Sequence, residues 1–76
     1  MPTLARLPTV SITMYAADHR PPHFHVRAND GSEALVAIES LAALVGGVCK
    51  RDMAAALVWA RVHHEFLREK WKELNP

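Results

Sequence analysis

At residues 23–38 the chain reads HFHVRANDGSEALVAI, with apolar and polar side chains alternating on both sides of an Asn-Asp-Gly turn signal. Alternation with a period of two predicts two half-buried strands joined as a hairpin. On the first strand, the side chains that would face the core are those of Phe24, Val26 and Ala28. The opposite face would carry His23, His25 and Arg27, spaced about 6.5 Å apart along the strand.

The turn allows two registers, which put different residues in the core. A two-residue Asp-Gly turn would pair Val26 with Leu35, whereas a three-residue loop with Gly31 left-handed would pair Val26 with Ala34. We favour the three-residue loop, because a slip of one residue would move the apolar side chains of the second strand to the histidine face. This register sends Ala34, Val36 and Ile38 to the core and pairs Phe24 with Val36 and Arg27 with Glu33.

The segments around the hairpin complete an α+β fold. The alternating residues 10–15 predict a preceding strand, and residues 43–45 predict a short fourth strand. Apolar side chains at helical spacing over residues 51–74 predict one long C-terminal helix. We therefore expect one small domain over residues 1–76, with a three- to four-stranded antiparallel sheet and one long helix packed on one face.

The length of that helix predicts a partner interface. It would be about 36 Å long, whereas four adjacent strands span only about 15–19 Å. Trp71 and Leu74 in the last turns would overhang the sheet, and half of all residues are hydrophobic. We expect these two side chains to contact a partner, in a homodimer or in a complex with a second protein.

Composition excludes several classes of protein. Nine basic and eight acidic residues give a net charge of +1, without the dense basic block typical of nucleic-acid-binding domains. The lone Cys49 excludes an internal disulfide, and no apolar run reaches the roughly 20 residues that span a membrane. We expect a cytoplasmic protein with no membrane partner and no cofactor.

The candidate site is the run Asp18-His19-Arg20-Pro21-Pro22-His23-Phe24-His25, which contains three of the five histidines. Histidine titrates near neutrality and transfers protons readily. The acid–base hypothesis makes Asp18, His19, His23 and His25 catalytic residues acting on a phosphodiester, with Arg27 as the phosphate contact. The alternative is structural: Asp18 would accept backbone hydrogen bonds in the loop, and the histidines would be partly exposed strand residues that bind nothing.

A metal site is a further alternative. Two histidines separated by one residue on a strand can bind one ion, and Asp18 or His19 would be the third ligand. The cysteine spacing of a structural zinc site is absent, so we assign no metal ligands. On the helix, we expect His63 to be a core histidine hydrogen-bonded to the sheet or to the Asp18 loop, and His64 to be solvated.

The motifs also resemble a known family. They are Met1-Pro2-Thr3-Leu4, then Met14-Tyr15, the histidine run, the segment Ala34-Leu35-Val36-Ala37-Ile38-Glu39, and Trp59 followed by His63, Leu67 and Trp71. This pattern spans nearly the whole chain and resembles the bacterial family DUF4160. The chain departs from it in a hairpin one residue longer, in Cys49 where proline is common, and in Ala37 where an acidic residue is usual.

The resemblance implies a function as well as a fold. Proteins of this family are regarded as candidate toxins of type II toxin–antitoxin pairs, each with a small antitoxin-like protein as partner. The family signature falls on Asp18, His19, His23 and His25, with the two prolines and Phe24. It implies a toxin that acts on RNA or on translation. The rival hypotheses are a non-enzymatic protein-interaction module and a metal-binding domain that uses His23 and His25.

Overall fold

The computed structural model describes residues 3–16 and 21–76. Within them, one antiparallel sheet has its strands in sequence order, followed by two helices. The strands are β1 (Thr3–Arg6), β2 (Val10–Thr13), β3 (His23–Ala28), β4 (Glu33–Ala37) and β5 (Ala43–Val45), and the helices are α1 (Lys50–Val62) and α2 (His64–Leu74). The predicted α+β class is therefore confirmed.

The β3–β4 hairpin has the register that the alternation predicts. Val26 lies opposite Ala34, and Phe24 lies opposite Val36. The connecting loop has three residues, and Gly31 adopts the expected left-handed conformation with φ of 93°. The backbone N–H of Gly31 donates a hydrogen bond of 3.0 Å to the carbonyl of Ala28. All three predicted core residues of the second strand and its end, Ala34, Val36 and Ile38, are buried.

The number of strands differs from the prediction. Ala43–Val45 forms the expected short strand, but Thr3–Arg6 adds a strand that the sequence pattern does not reveal. These four residues do not alternate clearly, and they become a strand because they pair with β2, where Ala5 lies opposite Ile12. The sheet described here therefore has five strands rather than three or four.

The prediction of one long helix is wrong. The helical segment is interrupted at His63, whose φ of −108° and ψ of 30° lie outside the helical range. Backbone hydrogen bonds continue across the break, from His63 N–H to the Trp59 carbonyl and from Leu67 N–H to the His63 carbonyl. The break is therefore a local change of conformation between two helices that follow each other directly.

The overhang expected at the C-terminal end is also wrong. Trp71 is only 7% exposed and belongs to the hydrophobic core, and Leu74 is half-buried against that core. The exposed large apolar side chains of the helical segment are instead Val58, Val62 and Phe66. The geometric reason for placing a partner at Trp71 and Leu74 is therefore removed, and such a contact remains only a prediction.

The core lies between one face of the sheet and the two helices. Ala56 and Ala60 are the α1 side chains with no exposed surface, and their small size lets this helix approach the sheet closely. The other members of the core cluster are Val10, Ile12, Met14, Phe24, Val26, Ala28, Val36, Ile38, Leu67 and Trp71. Neither described helix combines the length and the apolar character that crossing a bilayer requires.

Candidate functional site

His23 is held rigidly where β3 begins. Its Nδ1 lies 2.7 Å from the carbonyl oxygen of Pro21, and a carbonyl only accepts, so Nδ1 carries the hydrogen and donates it. The ring is packed 5.4 Å from the indole of Trp71, centroid to centroid, and the residue is 2% exposed. The expectation that His23 is partly exposed is therefore wrong, because α2 brings Trp71 against the start of the strand.

His25 is the accessible member of the histidine pair, which is formed by His23 and His25. It is half-buried, and its ring centroid lies 5.3 Å from that of His23. The Tyr15 ring packs against it in a T-shaped arrangement, with ring centroids 4.5 Å apart and ring planes at 86°. Asn75, just beyond α2, donates a side-chain hydrogen bond of 3.3 Å to the Tyr15 carbonyl. The C-terminal end of α2 therefore helps to position Tyr15 beside His25.

Arg27 projects from the same side of β3 as His25. Strand alternation places it there, since Phe24 and Val26 between the three polar positions are fully buried. Arg27 is exposed and lies opposite Glu33 of β4, as predicted. An imidazole and a guanidinium thus share an open surface, an arrangement that can bind an anion beside a group that transfers protons.

Two of the proposed site residues, Asp18 and His19, lie outside the described residues, so their roles stay predictions. The same applies to the metal hypothesis, since these residues supply its third ligand. Within residues 3–16 and 21–76, no group of three histidine, cysteine or carboxylate side chains is placed to hold a metal ion.

A model of one protein family matches residues 10–72, which is most of the chain. The chain belongs to the family DUF4160. This family is described as a domain of unknown function, so membership gives a relationship without an activity. No curated protein and no solved structure shows significant similarity to the chain.

In this DUF4160 chain, the two adjacent helical histidines have the opposite of their expected roles. His64 is half-buried, and its Nε2 donates to the carbonyl oxygen of Ile38 at 2.5 Å, which ties α2 to the end of β4. His63 is exposed and lies against Trp59, with ring centroids 4.5 Å apart. The break at His63 turns this residue outward and leaves the inward position to its neighbour.

A cleft of about 350 Å³ lies between α2 and the segments that flank β3 and β4. On its rim, Arg68 Nη2 donates hydrogen bonds of 2.7 Å to both carboxylate oxygens of Glu39. The hydrogen bond from Arg68 lowers the pKa of Glu39, and Glu39 in turn raises the pKa of Arg68. The two residues are 29 positions apart, so no local pattern in the sequence predicts this pair.

Asp52 is a buried carboxylate that the sequence pattern does not identify as a candidate site residue. This carboxylate sits in the first turn of α1 and is 7% exposed. Burial alone would raise its pKa, but hydrogen bonds with Thr9, Cys49 and Arg51 lower it, and the net pKa lies below the ordinary value. The contact with Thr9 fastens α1 to the turn before β2, which indicates a structural role. Cys49 itself is exposed.

Proposed function

We propose that this DUF4160 protein is the toxin component of a type II toxin–antitoxin pair and that it cleaves RNA by acid–base chemistry. The observation that carries the proposal is the histidine pair, 5.3 Å apart between ring centroids, with Arg27 on the same open surface as its accessible member, His25. The toxin role is what the resemblance of the sequence motifs implies, and the residue types at the histidine pair and Arg27 support RNA cleavage as its chemistry. Cleavage of RNA needs a proton acceptor, a proton donor and a cation for the phosphate, all of which these residue types provide.

In the proposed reaction, the 2′-hydroxyl of the RNA attacks the adjacent phosphorus and the bond to the 5′-oxygen breaks, leaving a cyclic phosphate. His25 accepts the proton from the 2′-hydroxyl, because it is only half-buried and is therefore the member of the pair that the RNA can reach. The 5′-oxygen takes its proton from a second imidazole, which we assign to His19. His23 is 2% exposed, so we assign it a supporting role beside His25, whose ring centroid lies 5.3 Å away, and no contact with the RNA.

The first prediction tests His25. Expression of the wild-type chain should arrest growth, and His25→Ala should abolish the arrest, because loss of an acid–base group lowers a rate by a factor of about 100 to 10,000. The measurement is growth after induction, together with cleavage of a labelled RNA by purified protein. Co-expression of the protein encoded beside this one should neutralise the wild-type arrest.

The matched control is His63→Ala, which removes an exposed imidazole on the helical side of the molecule. It should arrest growth like the wild type. Melting curves of both variants should stay close to wild type, since partly or fully exposed side chains contribute little to stability. A His25→Ala variant that melts normally and still arrests growth would show that the histidine pair does not carry the function.

The alternative function is a non-enzymatic interaction module. The observation that favours it is the set of exposed apolar side chains at Val58, Val62 and Phe66, since such surface is common at protein interfaces. This alternative gains support if the protein encoded beside this one forms a complex with the chain while neither growth nor RNA is affected. Stoichiometric metal in untagged protein, lost in His25→Ala, would favour the metal-binding hypothesis instead.

A further inference from the structure

A row of polar side chains crosses the sheet on the face turned away from the helices. Ser11 of β2 lies opposite Arg6 of β1 and also opposite Arg27 of β3. Residues directly opposite one another in neighbouring strands project from the same face. Their neighbours Ile12 and Val26 are fully buried on the core side. Arg6, Ser11 and Arg27 therefore project together from the open face, and we name them the arginine row.

The guanidinium groups of the arginine row are available to a ligand. Arg6 and Arg27 are both exposed, and Ser11 between them is half-buried. Among the described residues, the arginines that form ion pairs within the chain are Arg51 and Arg68. Because no carboxylate among residues 3–16 and 21–76 forms an ion pair with Arg6 or Arg27, these guanidinium groups can donate to an external anion without first breaking such a pair.

We propose that the arginine row binds the phosphates of a single-stranded RNA, which extends the proposed function from the reacting group to the binding surface. The row spans two strand spacings, so the backbones of Arg6 and Arg27 are about 9.5 Å apart. Their long side chains can hold neighbouring phosphates of one strand. The planar guanidinium matches phosphate in bidentate geometry, and the Ser11 hydroxyl is a further donor between them.

The arginine row lies next to His25, so RNA bound to the row would be close to the proton-transfer group. His25 is two residues before Arg27 on β3, so the two side chains leave the same face about 6.5 Å apart. An RNA backbone held by the arginine row passes beside the accessible imidazole. Arg6 and Arg27 are therefore substrate-binding residues that place a phosphodiester next to the proton-transfer group.

Charge distinguishes this face from the cleft beside α2. In the cleft, Glu39 already binds Arg68. The other charged lining residues are Lys72, Glu65 and Glu69, so carboxylates outnumber cations where a phosphate would bind. In the part of the chain that the structure describes, the carboxylate paired with the arginine row is that of Glu33, which lies opposite Arg27. Because Glu33 opposes an anionic ligand at this end of the row, removal of its charge should strengthen RNA binding.

The second prediction tests the arginine row by fluorescence anisotropy with a labelled oligouridylate of about 12 nucleotides. Binding is measured with His25→Ala protein as the background, so that the probe stays intact. Arg6→Ala and Arg27→Ala should each weaken binding several-fold, and each should reduce the slope of log K against log salt by about 0.7. Glu33→Gln should tighten binding. Melting curves should show all three variants folded.

The matched control is Arg61→Ala, which removes the same charge from an exposed position of α1 and should bind RNA like the background protein. Equal losses for Arg61→Ala, Arg6→Ala and Arg27→Ala would overturn the proposal, because only net charge would then matter. The proposal would also be overturned if unlabelled oligoglutamate displaced the labelled RNA as well as unlabelled RNA does. If the row binds RNA as described but the wild-type chain neither arrests growth nor cleaves RNA, the proposed enzyme fails and the binding surface stands.

Discussion

At the scale of single residues, burial separates side chains that the sequence presents as equivalent. In the alternating pattern, His23 and His25 share one face of a strand. The ring of Trp71 packs against His23, which is only 2% exposed, whereas His25 stays half-buried. Alternation predicts which face a side chain occupies, but not what a distant helix lays over it. The same holds for His63 and His64, whose roles depend on a local break in the helical segment.

The third prediction follows from that exchange of roles. His64→Ala should lower the free energy of unfolding by about 1 kcal/mol, because the Ile38 carbonyl loses its imidazole donor. His63→Ala should stay within about 0.5 kcal/mol of wild type, since His63 is exposed. Urea unfolding of both variants measures the difference. A larger loss for His63→Ala would mean that His63 is the residue that ties the helices to the sheet.

At the scale of secondary structure elements, the hairpin could be predicted and the helical surface could not. The hairpin register depends on neighbours in sequence, Val26 against Ala34 around the Asn-Asp-Gly loop, so local alternation and turn chemistry determine it. The buried face of α1 instead uses Ala56 and Ala60, while the larger Val58 and Val62 are exposed. The size and hydrophobicity of the side chains do not predict this choice, because it depends on how closely the helix approaches the sheet.

The break in the helical segment has no signal in the sequence either. No glycine or proline lies between Lys50 and Leu74, and the apolar spacing continues through His63. Strand β1 has no clear signal in the sequence for a related reason, since only its pairing with β2 makes it a strand. For the site, the sequence identified His25 and Arg27 on one surface, but it did not identify Arg6, which reaches that surface through the unpredicted strand.

The fourth prediction concerns the approach of the segment after β5 to the start of β4. A Cβ atom at Gly47 would lie far inside van der Waals distance of the backbone carbonyl oxygen of Glu33, whereas one at Gly46 would meet no atom within 4 Å. Gly47→Ala should therefore destabilise the fold by about 1–3 kcal/mol, the usual range for overpacking. Gly46→Ala is the control and should melt near wild type. Equal melting temperatures for the two variants would show that β5 does not pack as described.

At the scale of the whole molecule, carboxylates are among the groups that connect each described helix to the strand region. Asp52 joins the first turn of α1 to Thr9, before β2. Glu39, just after β4, joins Arg68 of α2 through two short hydrogen bonds. In both cases the carboxylate accepts hydrogen bonds and has a pKa below its ordinary value. A chain of this size buries only about 60% of its unfolded surface, so such contacts matter for its small margin of stability.

The fifth prediction is that the protonation of Asp52 lowers the free energy of unfolding at acidic pH. Because the pKa of Asp52 is lower in the folded state than in the unfolded chain, the unfolded state binds more protons, and stability rises with pH in that range. The contribution is fully present above the unfolded pKa of about 4 and is lost as the pH falls through the folded value. Burial opposes this shift, but the hydrogen bonds with Thr9, Cys49 and Arg51 outweigh it.

Urea unfolding between about pH 7 and about pH 3 measures this effect. Asp52→Asn should be less stable than wild type near neutrality, where the carboxylate is charged, and its stability should decline less steeply below about pH 4. Glu69→Gln removes an exposed carboxylate from α2 and should keep the wild-type pH dependence. If the curve of Asp52→Asn runs parallel to that of wild type down to the lowest pH, the ionised Asp52 does not help to hold α1 against the sheet.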